Sequence, residues 1–181
     1  MHKLSYTFVI FAMLFMSSCE EQKSKEDYSL SSPDGKNTVT FSLTEAGKPT
    51  YTIAHDGVVV VDTSAMGFDL KDLDALSEDF EIIKTETSTA DETWQMPWGE
   101  QLEVRNHYNE LIIYLQETSE NKRKLNIHFK AYNDGIGFRY EFPEQENLDE
   151  FIIADENTEF NLTGDHKTWW IPGDWDIYEH L

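Results

Sequence analysis

From Ser29 onward, apolar and polar positions alternate with a period of two. Val39, Phe41 and Leu43 alternate with Thr38, Thr40 and Ser42, and Leu111, Ile113 and Leu115 keep the same spacing. Leu125, Ile127, Phe129 and Ala131 fall on one side of a strand, with Asn126, His128 and Lys130 on the other. Ile136, Phe138, Tyr140 and Phe142 continue the pattern. This period places one face in a core and the other in water, as in antiparallel sheets. Further strands are predicted near residues 51–54, 58–61, 80–85, 151–153, 159–162 and 168–171. The turns Pro33-Asp34-Gly35, His55-Asp56-Gly57 and Asn133-Asp134-Gly135 separate strand-like runs. Asp-Gly supplies the positive φ angles that tight hairpins need. The clearest unit is the hairpin of 125–132 and 136–142. Only Leu70, Leu73 and Leu76 have helix-like spacing, which predicts a short surface helix. Roughly ten strands with almost no helix predict an all-β, antiparallel sandwich. No repeat of 20–50 residues suggests a solenoid or propeller.

The first 18 residues do not share the pattern. Lys3 is followed by an uncharged apolar run at 6–16 (YTFVIFAMLFM), then Ser17, Ser18 and Cys19. The run is too short to span a bilayer and has the layout of a secretory signal peptide. Cys19 is the only cysteine, so no internal disulfide can form and a structural thiolate metal site is excluded. Its place after an apolar run and two small residues resembles a bacterial lipobox. That resemblance implies diacylation of the Cys19 thiol, cleavage before it and membrane attachment. Residues 20–27 (EEQKSKED) are polar or charged and read as a solvated tether. Acids directly after such a cysteine resemble a surface-export signal, which implies an outer-membrane lipoprotein on the surface or periplasmic side. The predicted organisation is a signal peptide at 1–18, lipidated cysteine and tether at 19–28, a sandwich at 29–171, and the start of a linker at 172–181.

Charge narrows the partners. The 181 residues carry 35 acidic and 14 basic groups, a net charge of −21. Nucleic-acid binding needs clustered Lys and Arg, so this acidity argues against it. It also argues against electrostatic docking on anionic lipid. It does not argue against cations or neutral ligands such as sugars. Hydrophobic residues at 39% and aromatics at 13% suffice for one core.

Candidate chemistry is sparse. Asp155 with Glu156, and Asp174 with Asp176, are paired acids that read first as surface carboxylates. His107 and Glu110 stand close in sequence, and the six histidines show no metal-ligand spacing. There is no Gly-rich phosphate loop and no GxSxG elbow. The five tryptophans lie in two groups, Trp94 with Trp98, and Trp169 with Trp170 and Trp175. The second group lies near Tyr178-Glu179-His180-Leu181, where no polar tail follows. Such an end predicts a polypeptide cut from a longer one, or one covered by a partner. Asp174, Asp176 and Glu179 offer hard oxygens to Ca²⁺, yet three acids cannot fill six to eight positions.

Met96-Pro97-Trp98-Gly99-Glu100, followed by Val104-Arg105-Asn106-His107-Tyr108-Asn109-Glu110-Leu111, resembles a signature of glycoside hydrolase family 97. The block from Leu125 to Pro143, the segment Trp170-Ile171-Pro172 and the later Tyr178-Glu179 are similar to that family in the same order. The resemblance covers about residues 29–181. It implies the N-terminal, galactose-mutarotase-like sandwich of a calcium-dependent α-glucosidase or α-galactosidase acting on oligosaccharides. It also implies that the catalytic carboxylates belong to a (β/α)₈ barrel, in cis or on a separate chain, so no catalytic residue is carried over. Glu179 is the one position it implies as functional, a ligand reaching the barrel's calcium.

Three functions compete. The first is a non-catalytic module bracing the active site of a lipid-anchored α-glycosidase. The second is a free-standing carbohydrate-binding surface lipoprotein that stacks sugars on tryptophan. The third is a mutarotase-like epimerase, which needs a His acid and a Glu base converging on one sugar. The sequence alone displays no such convergence.

Overall fold

The structure is a computed structural model and describes residues 27–169. Eleven strands form among them: β1 (Tyr28–Ser31), β2 (Asn37–Leu43), β3 (Pro49–His55), β4 (Val58–Ala65), β5 (Phe68–Leu70), β6 (Phe80–Gln95), β7 (Glu103–Glu117), β8 (Lys124–Tyr132), β9 (Gly135–Glu141), β10 (Ile153–Glu156) and β11 (Asn161–Leu162). A five-stranded sheet runs β1-β2-β3-β4-β11, a four-stranded sheet runs β6-β7-β8-β9, and β5 pairs with β10. Every pairing is antiparallel. The chain is an all-β sandwich.

The two large sheets bury the faces that the alternation marks. Val39 and Phe41 on β2 meet Leu125, Ile127 and Phe129 on β8 and Leu111, Ile113 and Leu115 on β7 in one core cluster. Phe41 and Tyr51 lie 6.2 and 6.3 Å from the Phe129 ring, and Tyr51 lies 5.7 Å from Phe138. These tilted pairs add to the area burial that dominates the core.

Turns follow their residues in two places and depart in one. Asp56 and Gly57 both take positive φ (48° and 78°), closing β3–β4 as a two-residue primed turn. Gly47 has a φ of 70°, and a Cβ there would stand 2.5 Å from the Phe80 backbone nitrogen. Only glycine permits this approach between the β2–β3 turn and the start of β6. Gly135, in contrast, is not among the positive-φ glycines. Its turn is held from the other sheet, where Asn37 Nδ2 donates to the carbonyls of Tyr132 and Asn133.

No helix occurs among the described residues, which corrects the helix expected at Leu70, Leu73 and Leu76. Leu70 ends β5 and pairs with Ile153, while Leu76 bridges back to Phe68. Leucines at either end of a tight turn are buried and the middle one is exposed, so a spacing of three mimics a helix face. Asp72 in that turn has a φ of 61°. Three further boundaries move. The strand expected near 80–85 runs the full length of β6. The strand near 151–153 instead begins at Ile153, and pairing near 159–162 is confined to β11. Thr168 and Trp169 are not in a strand, and the rest of that expected strand lies outside the described residues.

Candidate functional site

The outer face of the four-stranded sheet gathers a dense set of polar groups. The alternation that sends Leu111, Ile113, Leu125, Ile127 and Phe129 inward sends Glu110, Tyr114, Asn126, His128 and Lys130 outward. On β9, Arg139 stands opposite His128 and Glu141 opposite Asn126. His128 is buried beneath these neighbours. Its Nε2 lies 2.5 Å from Glu141 Oε2, its Nδ1 lies 3.6 Å from Glu110 Oε1, and Arg139 Nη2 is 3.4 Å from Nδ1. The carboxylate can only accept, so Nε2–H donates to Glu141, while Nδ1 faces both Arg139 and Glu110. The bond from His128, with a second from Asn126, holds the Glu141 carboxyl below the ordinary range.

Aromatic and charged groups extend the face on either side. The Lys130 ammonium lies 3.9 Å over the Tyr108 ring, and Tyr108 lies 5.3 Å from Tyr132. Tyr114 donates to Glu86 at 2.9 Å, and Lys84 pairs with the same carboxylate. Beyond β8 the β6–β7 hairpin continues as a two-stranded ribbon, because β8 pairs only with Tyr108–Gln116 of β7. Arg105 grips Asp91 there through two bonds of 2.7 Å. The ribbon ends at Pro97-Trp98-Gly99. Two clefts of about 470 and 660 Å³ flank the turn after β5 and share Asp72 and Leu73. In the first, Arg123 is already committed to Glu117, Asp74 and Ala75.

The cluster does not supply the acid–base pair that an epimerase requires. Both ring nitrogens of His128 face protein groups, which leaves neither free for a sugar hydroxyl. The cluster is suited to fixing the face and presenting Glu110 and Glu141 at its rim.

The residues singled out from sequence fall as follows. Cys19, Glu179, Asp174 and Asp176 lie outside the described residues. Asp155 and Glu156 are exposed on β10, consistent with surface acids. His107 and Glu110 are three apart on β7 and so project to opposite faces, which keeps them from forming a pair. Among the described residues, no group of three or more His, Cys, Asp or Glu is placed to hold a metal. The His128 cluster was missed, although the hairpin register that sets it follows from the short turn between β8 and β9.

The family model for the glycosyl-hydrolase 97 N-terminal domain matches residues 30–181. A retaining alpha-galactosidase of Bacteroides thetaiotaomicron is 31% identical over 134 residues, 74% of this chain and 19% of that protein. A glycoside hydrolase family 97 enzyme from Pseudoalteromonas sp. strain K8, solved in complex with panose and also with acarbose, is 32% identical. It superposes with a TM-score of 0.71 over 75% of this chain and 20% of its own. A beta-arabinopyranosidase, 21% identical with a TM-score of 0.68 over 76% of this chain and 21% of that one, shares the fold. The chain thus spans about one fifth of the length of these relatives. With a family match over most of its length and the sandwich that goes with it, the chain belongs to the glycoside hydrolase family 97 N-terminal domain family.

Proposed function

We propose that this chain is the N-terminal sandwich module of a lipid-anchored, calcium-dependent α-glycosidase. It braces the active site while a barrel, in cis or as a separate chain, supplies the catalytic carboxylates. The observation that carries this reading is that the chain, matched by the family model over residues 30–181, aligns over 134 residues with only 19% of a much longer glycosidase. Panose and acarbose, bound by one relative, are oligosaccharides with α-linked units, which supports an α-glycoside substrate. Diacylated Cys19 tethers the module to the outer membrane. Glu179 supplies one oxygen ligand of a calcium site completed by the barrel, since a lone carboxylate falls short of the six to eight oxygens the ion takes.

The test joins residues 30–181 to the remaining four fifths of the Bacteroides enzyme in place of its own first fifth. The isolated chain should not turn over aryl α-galactosides, with or without Ca²⁺, and the chimera should. Glu179→Gln in the chimera should raise the Ca²⁺ needed for half activity, with recovery at excess Ca²⁺. Turnover by the isolated chain that a point mutation within it abolishes would overturn the module reading. An unchanged Ca²⁺ requirement would remove Glu179 from the site. Fatty-acid labelling of the wild type but not of Cys19→Ser checks the anchor.

A free-standing carbohydrate-binding lipoprotein is the second reading, favoured by the exposure of Trp94 and Trp98. Saturable quenching of tryptophan fluorescence by panose in the isolated chain would decide for it.

A further inference from the structure

The distal half of the β6–β7 hairpin is amphipathic across its width. The pairs Trp94↔Val104 and Glu92↔Asn106 fix the parity, and Met96 N donates to Leu102 O one step beyond the last ladder pair. Trp94, Met96, Leu102 and Val104 therefore line one face, the same face as Tyr108, Glu110 and Tyr114. The opposite face carries Thr93 with Arg105 and Asp91 with His107, closed by the Asp91–Arg105 ion pair. The apolar face is in water: Trp94 is 45% exposed, Met96 38% and Leu102 66%, and Trp98 at the tip is 82% exposed. The two indoles alone leave roughly 300 Å² of aromatic surface uncovered. With Met96 and Leu102 added, the stripe falls in the range of the largest apolar patch on a monomer, a patch that is often functional.

A lone two-stranded ribbon is marginal in water. One polar face with its own ion pair and one bare apolar face is the pattern of a ribbon covered from one side. We infer that this stripe, capped by Trp98, is the anchor by which the module docks on the remaining polypeptide of the glycosidase, in an apolar socket with a basic rim. The inference rests on the module reading above. The relatives carry about four fifths of their length beyond the matched part, so the occupant is large enough. Standard interfaces bury about 800 Å² per partner, so the stripe is the core of a larger contact that continues over Tyr108 and Tyr114.

Charge chooses between occupants. Glu92, Glu100 and Glu103 flank the stripe, and Arg105, the basic residue of the ribbon, is already paired to Asp91. A second copy of a chain with net charge −21 would set this acid ring against itself. A sugar needs hydrogen-bonding groups beside the stacking ring. The polar pair next to Trp94 is Glu92 with Asn106, and these bond each other at 2.8 Å.

The experiment uses the chimera described above. Trp94→Ser with Leu102→Ser, made together, should lower its activity about tenfold or more. They should also separate module unfolding from that of the rest in calorimetry. The same pair should shift the melting temperature of the isolated chain far less than it shifts that of the chimera, since Leu102 is 66% and Trp94 45% exposed there. Trp98→Ala should act in the same direction. Activity and a single transition retained by all variants would overturn the docking inference and leave the module reading intact. A parent chimera that is inactive and unfolds in two independent steps would sink both. Stripe-dependent dimerisation of the isolated chain in sedimentation, or stripe-dependent panose binding, would also overturn the inference.

Discussion

Arg123→Met should destabilise the folded chain by about 3–5 kcal/mol, a large part of the total stability of a domain this size. Arg123 and Glu117 are 4% and 3% exposed, far from the surface regime in which an ion pair contributes little. The guanidinium gives Nε and Nη2 to the two carboxylate oxygens at 2.7 and 2.6 Å. It also donates to the carbonyls of Asp74 and Ala75 at 2.8 and 3.0 Å. Methionine matches the stem and supplies no donor. The Glu117 charge would remain buried with only weaker partners, the Arg123 N–H at 3.3 Å and the Ser119 hydroxyl at 3.5 Å. The two carbonyls of the turn before Leu76 would lose their donor as well. Urea unfolding gives the size of the loss. The informative control is Glu117→Leu with Arg123→Met, which should be less destabilised than Arg123→Met alone, because no unpaired charge remains. A single variant within about 1 kcal/mol of wild type would show that water reaches the pair.

This buried pair was not legible in the sequence. Glu117 and Arg123 stand in a stretch of charged residues, and only the packing of the turn at 71–76 over them removes water. The strands of the core were legible, because each presents one apolar face. The hairpin of β8 and β9 lies within one residue of its expected bounds for the same reason. The outer half of β6 was not, since both of its sides meet water or polar groups and no period marks it. Its Thr-rich run, Thr85, Thr87, Thr89 and Thr93, was the remaining sign of a strand. The family resemblance, in contrast, pointed directly at this region: Met96 to Glu100 form the tip of the ribbon and Val104 to Leu111 its returning strand. His128 became a site residue only through register. Parity put it on the outer face, the short turn put it beside Arg139 and Glu141, and only the long-range pairing of β7 with β8 brought in Glu110.

Alkaline pH should unfold the sandwich through two tyrosines. Burial is the main cause that pushes Tyr51 up to about 12 from an ordinary value of 10, and Tyr140 likewise up to about 12. Tyr51 sits at 1% exposure against Phe129 and Phe138 and donates to the Glu159 carbonyl at 2.7 Å. Tyr140 packs edge-on to Phe68 at 4.6 Å and shares a 2.6 Å hydrogen bond with Thr158. The unfolded chain releases these protons near pH 10 and the folded chain holds them to about 12. Between those values the folded state binds more protons, so stability is full below pH 10 and falls as pH rises to 12. Each tyrosine contributes a slope of about 1.4 kcal/mol per pH unit, and the pair loses on the order of 5 kcal/mol across the window. Tyr51→Phe separates this effect from the general repulsion of an acidic chain losing its lysine charges, which acts on both proteins alike. At pH 8 the variant should be less stable by about 1 kcal/mol, the worth of the lost hydrogen bond. Above pH 10 its stability should fall about half as steeply, so the two curves of urea midpoint against pH should cross before pH 12. Parallel curves would mean that the Tyr51 hydroxyl ionises in the folded chain as readily as in the unfolded one, and that the contact with Glu159 does not seal it from water.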